Sequence, residues 1–573
     1  MLKFNHALTR QVSSKVTYKN NLNYLQSPLC ALKQRMLGLS DYAKVVNANS
    51  RHDDELNGSN GVSIAGLHAQ SNGHSNGHTG HGQAATIAAN KFDAFPFMQR
   101  LQQISISANK QSPQSANQLN RIFGKIEHVE QIYDGELEQD DNGLYLTRSQ
   151  RAIMDKLIAD RDENDAMNSF YMVDLGDIVR QHLQWTSLLP HVYPFYAVKC
   201  NPDPVVLSLL SYLGCSFDCA SQNEILSLMH NGVDTTAPNT QNGQIYDKVI
   251  FSHPCKHPMH LKYAQQVGVN LCTFDNEDEL YKMHEFHPNC KALLRIQVDD
   301  SQSICKFNSK YGYNVDDMKD VHRIFELARK LDINMNGIMF HVGSGCLDAN
   351  VYSTAIEKAK FLLDVAHNTY GYDPSQMNVV DLGGGFPGVN DKESGVEFPA
   401  IARVIKHALE YYFGEFGQHP YQFIAEPGRY YVAKSHSLVC DIIAKKKIQS
   451  VSGDDVMNAA QCESGKDQFM YYLNEGMYGS FNCIYFDHQY PAIVPYARYT
   501  EKSGVRAVCD KKYKSTIFGP TCDSMDKMYD GYELEELNIM DKVIIPFFGA
   551  YTGAAASGFN GFEKSKSRYV ITL

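Results

Sequence analysis

From Tyr193 to Gly428 the sequence repeats one alternation eight times: a short β-branched or aromatic run, then a stretch with helical amphipathic period. The runs are Tyr193–Lys199, Ser216–Ala220, Lys248–His253, Asn270–Asp275, Ala292–Val298, Ile338–Gly343, Asn378–Gly385 and Tyr421–Gly428, with helical pattern between them, as across Val321–Lys330. Strands that alternate with helices build parallel sheets, and eight such units in about 235 residues are what a closed (β/α)8 barrel requires. After Tyr430 the helical period fades and strands dominate, for instance Ser437–Ile448, Phe469–Asn474 and Lys542–Pro546. A separate all-β domain is expected there, with the polar stretch Ser452–Lys466 as a mobile surface loop within it.

What precedes the repeats is different in kind. The first 40 residues hold Lys3, Arg10, Lys15, Lys19, Lys33 and Arg35 and no acidic residue, and Phe4, Leu8 and Val12 share one helical face. That pattern suits either a mitochondrial presequence or a basic extension on a cytoplasmic enzyme, the expected location. Residues 49–90 are rich in Asn, Gly, Ser and His, too polar to offset their ordering entropy, and should form a tether. His68, His74, His78 and His81 lack a carboxylate or thiol at ligand spacing, so no metal site is expected. The expected organisation is a disordered extension over 1–120, lead-in strands over 121–175 that join the β-domain, a barrel over 176–432 and the β-domain over 433–573.

Composition narrows the function. A formal charge of −11 argues against nucleic-acid binding through a basic surface. The longest uncharged run near the end, Val543 to Phe562, is broken by Pro546, Gly549, Gly553, Gly558 and Gly561, so it reads as a strand and loop and no membrane association is expected. Fourteen cysteines without a paired CxxC framework indicate a reducing compartment.

Barrel enzymes place their chemistry where the strands end. Here the first run closes on Lys199, an ammonium that needs a partner or a shifted pKa if it is buried. It either reaches water at the barrel rim or serves as a Schiff-base lysine. The seventh run enters Gly383-Gly384-Gly385, whose bare backbone lets an anion approach, and the eighth ends in Glu426-Pro427-Gly428-Arg429. An arginine fork beside a glycine loop after strands seven and eight suits a phosphate. An amine nucleophile, a phosphate cradle and the carboxylate of Glu426 at one cavity describe a pyridoxal phosphate site.

The strings PFYAVKCN, FDCAS, FHVGSGC, DLGGGFPG, AEPGRYYV, YGSFNCIYFDH, GPTCDSMD and GAYTGAAASGFNGF resemble eukaryotic ornithine decarboxylases, of the alanine-racemase-like class, in order and over most of the chain from Arg121 to Val570. The resemblance implies decarboxylation of L-ornithine to putrescine and carbon dioxide, the first step of polyamine biosynthesis, with pyridoxal 5'-phosphate as cofactor. It makes Lys199 the Schiff-base lysine, Glu426 the partner of the ring nitrogen and His341 the residue stacked on the ring. Asp218 and Arg295 support the cofactor; Ser344, the glycines 383–385, Gly428, Arg429 and Tyr551 hold its phosphate. Asp487 and Asp523 take the distal amine of the substrate, Tyr478 and Phe559 line the site, and Cys522 acts after carbon dioxide leaves. The family also implies a homodimer with shared sites, in which Lys310 and Asp526 match a pair linking the subunits, and antizyme as a further partner. Against that partner, the segment Lys262–Lys291 is mixed in charge, not basic.

Two positions depart from the family pattern: Phe486 replaces a tyrosine before Asp487, and Ser524 replaces a glycine after Asp523. Relatives from vertebrates carry a destabilising tail where this chain stops at Leu573, so tail-dependent turnover is not expected. A lysine or diaminopimelate decarboxylase on the same scaffold, and a non-catalytic homologue that binds antizyme, are the alternatives. Carboxylates at the distal end favour a cation there, and a second carboxyl on the substrate would call for arginine.

Overall fold

The computed structural model describes residues 122, 125–130, 138–139, 145–162, 167–389, 396–448, 468–496 and 511–572. The basic and Asn/Gly/His-rich segments and the loop Ser452–Lys466 lie outside the described residues.

Eight parallel strands close the barrel: β1 (Val192–Ala197), β2 (Ser216–Cys219), β3 (Val249–Phe251), β4 (Leu271–Phe274), β5 (Lys291–Ile296), β6 (Asn334–Phe340), β7 (Val379–Asp381) and β8 (Gln422–Ala425), with β8 pairing back onto β1. All eight fall within the runs read from the sequence or within a few residues of them. Their inward side chains fill the interior, with Tyr193, Phe195, Ile250, Leu271, Leu293, Met339, Val379 and Ile424 in one buried cluster. Tyr193 stacks on Tyr246 at 4.3 Å between ring centroids. Such a filled barrel is a core, and only its C-terminal rim is open to chemistry.

Local signals start the outer helices where the sequence suggests. Asp203 caps Pro204–Tyr212 by accepting from the amides of Val205 and Val206, with proline at the first helical position. Ser221 and Asn276 cap Gln222–His230 and Glu277–Phe286 in the same manner. The seam where the barrel closes is locked by Trp185 of helix Leu175–Leu188. This fully buried indole stacks on Phe398 at 5.3 Å, meets Phe386 and Tyr430 edge-on, and donates to the Val192 carbonyl at 2.9 Å. It thereby fixes the start of β1 against the residues that follow β7 and β8, where the catalytic groups are expected.

The β-domain is one nine-stranded sheet. Its long strand, His436–Ile448, pairs with Phe170–Asp174, Lys542–Ile545 and Gln468–Leu473. The strand Lys566–Thr572 lies between Ile126–Glu130 and Phe170–Asp174, so the two ends of the described chain meet in this sheet. Helix Arg148–Ala159 packs Ile153, Met154, Leu157 and Ile158 onto it, against Phe170, Met172, Val439 and Ile544. The uncharged run from Val543 is the end of a buried strand followed by loop and two 3-10 turns, Gly553–Ala555 and Phe559–Gly561. Among the described residues no helix is long and apolar enough to cross a membrane.

The two domains share the barrel mouth. The Tyr551 amide donates to the Cys200 carbonyl at 3.0 Å and Asn201 donates to the Gly549 carbonyl at 2.9 Å, so a β-domain loop is sewn to the end of β1.

Candidate active site

Strand β1 ends at Ala197, and Lys199 sits in the single 3-10 turn Val198–Cys200 that follows, not on the strand as its sequence position suggests. The turn lifts the ammonium out of the barrel interior, and its side chain is 40% exposed toward the open cavity. The ammonium pairs with Asp218 Oδ2, from the neighbouring β2. Burial opposes its charge, but Asp218, Glu426 and Tyr551 outweigh that and raise the Lys199 pKa.

Below the lysine lie three carboxylates, Asp218 on β2, Asp381 on β7 and Glu426 just after β8, all buried. Asp218 Oδ1, Asp381 Oδ2 and Glu426 Oε1 have no hydrogen-bond partner. Burial, reinforced by Asp218 and Asp381, raises the Glu426 pKa well above the carboxylate range. Burial likewise pushes Asp381 up to about 7, although the Gly383 amide, donating at 2.9 Å, pulls it back. Arg295 on β5 is buried close enough to attract Glu426 and Asp218, and burial lowers its pKa. Unsatisfied buried oxygens are rare, and this cluster has room for a further donor or a proton shared between carboxyls.

His341 follows β6. Its Nδ1 accepts from the Gly343 amide at 3.0 Å, and Phe307 meets its ring edge-on at 5.0 Å. Burial, with Arg295 and Lys199 adding, holds the imidazole neutral by lowering its pKa well below the usual value. The glycine run after β7 is required by this packing. Gly383 has φ +63° and a Cβ there would lie 2.2 Å from the Phe340 carbonyl, while a Cβ at Gly384 would lie 2.8 Å from His341 Nε2.

Arg429 opens the short helix after β8 and donates to Ser344 Oγ at 3.1 Å. Its guanidinium lies 5.2 Å from the ring centre of Tyr551, a residue held at φ +57°. Positive φ at a tyrosine is strained backbone, kept where a site needs it. Together Lys199, Asp218, His341, Ser344, Gly384, Gly385, Glu426, Gly428, Arg429 and Tyr551, with Ala197 and Phe386, line one open cavity. Gly383 stands behind His341 and Arg295 flanks the carboxylates; neither lines the cavity.

The remaining candidates fall into two places. Asp487 reaches the cavity through Arg429, whose Nη2 donates to both of its carboxylate oxygens. Tyr478, Cys522, Asp523 and Phe559 form a second group that does not line the cavity. There Tyr478 donates to Asp523, stacks on Phe559 at 4.3 Å, and the Cys522 amide donates to Asn560 at 2.9 Å. Cys522 is exposed. Asp526, which the family resemblance pairs with Lys310 across subunits, is held by its own chain here. It is 1% exposed and accepts from the amides of Met477 and Thr521 at 2.7 and 3.0 Å, shaping the turn that carries Cys522. Among the described residues no cluster of His, Cys, Asp and Glu suits a metal ion.

Asp381 is the group that sequence reasoning passed over. An acidic residue closing a buried strand ahead of three glycines was the available signal. The raised acids have a consequence that can be measured. A carboxyl whose folded pKa exceeds its unfolded value adds stability below the unfolded value and loses that contribution as pH rises through the folded one. The cofactor-free chain should therefore lose stability from Asp381 between about pH 4 and 7 as it ionises in a buried site beside Asp218, with Arg295 offsetting part of the cost. Melting temperatures of wild type and Asp381→Asn should diverge as pH rises from 5.5 to 8, the variant falling less; parallel curves would contradict the burial argument.

Residues 175–433 match the family described as pyridoxal-dependent decarboxylase, pyridoxal binding domain. The chain is 41% identical over 421 residues to antizyme inhibitor 2 of Xenopus laevis, covering 74% of this chain and 85% of that protein. It is 39% identical over 422 residues to ornithine decarboxylase of Mus musculus, covering 73% of this chain and 84% of that one. Among solved structures, the arginine decarboxylase of Paramecium bursaria Chlorella virus matches with a TM-score of 0.61 at 30% identity, over 73% of this chain and 100% of that one. The cavity fits the cofactor this family names: Glu426 Oε1 is a buried acceptor awaiting a ring N–H, Lys199 offers an amine, and Arg429 with Ser344 offers phosphate donors. A closed parallel barrel with this cavity at its C-terminal rim, together with 39% identity over 73% of the chain, places the chain in the ornithine-decarboxylase-like family of pyridoxal-dependent decarboxylases.

Proposed function

We propose that this chain removes the carboxylate of L-ornithine as carbon dioxide and releases putrescine. The observation that carries the reading is the buried Glu426 oxygen without a partner, set with Asp218 and Asp381 beneath Lys199. Pyridoxal phosphate, when bound, supplies the electron sink that accepts the pair left on the α-carbon. Glu426 would hold the proton of the ring nitrogen, and neutral His341 would pack against the cofactor. Asp218 keeps Lys199 charged and oriented until its amine is needed as nucleophile, and Arg429 with Ser344 anchors the phosphate. Asp487 and Asp523 take the distal ammonium, which favours a substrate with a second amine over one with a second carboxylate. The Cys522 thiol gives a proton to the α-carbon.

The group Tyr478, Cys522, Asp523 and Phe559 stands apart from the cavity, and Tyr485, Phe486, Tyr490, Met525 and Phe562, close to it in sequence, are exposed in the single chain. That arrangement supports a homodimer in which one chain completes the cavity of the other. Phe486, 74% exposed, offers its ring to such an interface without the hydroxyl of the family tyrosine.

Steady-state turnover with ornithine, lysine and arginine, with and without added cofactor, tests the proposal. Ornithine should be preferred by at least about tenfold in kcat/KM over lysine, the difference one methylene and its misplaced charge commonly make. The 41% identity to a protein named antizyme inhibitor favours a second reading, a regulatory homologue that binds antizyme. Lys199, Asp218, Arg295, Glu426 and Arg429 all being present weighs against it. A chain that shows no visible absorption from bound cofactor and turns over none of the three amino acids would establish that second reading over the first.

A further inference from the structure

The phosphate donor and the expected substrate carboxylate are bonded to each other. Arg429 Nη2 donates to Asp487 Oδ1 at 2.8 Å and to Oδ2 at 2.7 Å, and the same nitrogen donates to Ser344 Oγ at 3.1 Å. Both side chains are largely withdrawn from solvent, 15% exposed for Arg429 and 7% for Asp487. Arg429 Nε is buried without a partner, so the guanidinium has donor capacity that its present partners leave unused. The strand Ser303–Cys305 pairs with Ser344–Cys346, and the Cys305 thiol, opposite Ser344, lies 3.5 Å from the Asp487 carbonyl oxygen and 3.6 Å from Oδ1. One two-stranded ribbon therefore carries the serine of the phosphate cradle and touches the carboxylate. His488, immediately after Asp487, has φ +53°, so the segment bearing the carboxylate leaves its short helix Cys483–Phe486 through strained backbone.

We infer that Asp487 is a switch residue with two alternative cations: it occupies Arg429 as a stand-in anion until a phosphate displaces it, and only then is free for the distal ammonium of the substrate. Two anions cannot share one buried guanidinium nitrogen without mutual repulsion. A phosphate arriving at Ser344 and the Nη2 of Arg429 competes with Asp487 for that nitrogen. Displacement leaves a half-buried carboxylate in need of a cation, and a diamine or diamino acid provides one. Phosphate binding and distal-amine binding are then positively coupled, and by linkage the coupling is reciprocal. The inference rests on the proposed reading of Arg429 as phosphate donor and Asp487 as distal-amine contact.

The test uses the full chain stripped of cofactor, with inorganic phosphate as probe and calorimetry as readout. If the pair is closed about nine-tenths of the time, removing it should tighten phosphate binding about tenfold. Asp487→Asn should show that gain, which structural damage would not produce, and should bind pyridoxal phosphate more tightly by a similar factor in fluorescence titration. Arg429→Met should weaken phosphate binding; if it does not, the phosphate reading of the site itself is wrong. If Arg429→Met weakens binding and Asp487→Asn binds no better than wild type, the switch is overturned while the site reading stands. Should the Asn variant fail to fold, wild type alone decides. Saturating phosphate should then tighten putrescine binding severalfold, and independent binding of the two overturns the inference.

Discussion

Replacing Lys199 by Ala is expected to lower turnover by about a thousandfold or more while the chain remains folded. The ammonium stands outside the barrel core on its own 3-10 turn and is 40% exposed, so no packing is lost. What is lost is the partner of buried Asp218, which should lower stability by about 1 kcal/mol after screening by solvent. Far-ultraviolet circular dichroism and a melting curve would report the fold. Reduction of the wild-type protein with borohydride should fix the cofactor onto the peptide containing Lys199. Label recovered on another lysine would remove the assignment.

The second expected result is a gain of activity from two inactive variants. Lys199 lines the cavity and Cys522 does not, although both are expected to act on one substrate. If the Cys522 group serves the cavity of a second copy, Lys199→Ala and Cys522→Ala damage different halves of each shared site. Random mixing gives about half mixed dimers, each with one doubly damaged site and one intact site, so activity should return to about a quarter of wild type. If one chain supplied both residues to one site, no mixed dimer would hold an intact site. Recovery near zero, with subunit exchange verified by mass, would end the shared-site reading.

Most of the barrel was legible because each strand is short, apolar and bounded by helical period, and because period alone separates the two. The catalytic rim was legible for a related reason: Lys199, Gly383-Gly384-Gly385 and Glu426 are polar or bare residues set where apolar runs stop. Position on the rim was less so. Lys199 appeared to close a strand, yet a single turn intervenes, and no hydrophobic pattern marks three residues of 3-10 helix. Asp381 drew no role because its raised pKa comes from burial, with Asp218 adding, and both arise only once the barrel closes. The ion pair of Arg429 with Asp487 spans 58 positions and two domains, and no local signal announces it.

The sheet that joins Ile126–Glu130, Lys566–Thr572 and Phe170–Asp174 also fixes an order of events during synthesis. The barrel strands run consecutively from 192 to 425 and can pair as they emerge. The flanking sheet cannot, because its inner strand is made nearly 400 residues after one neighbour and more than 430 after the other. Until then Phe170–Asp174 has one edge without its partner, and an unpaired apolar strand edge invites pairing with another chain. Vectorial folding of this sheet should thus wait for Lys566–Thr572, the strand that fills the gap between Ile126–Glu130 and Phe170–Asp174.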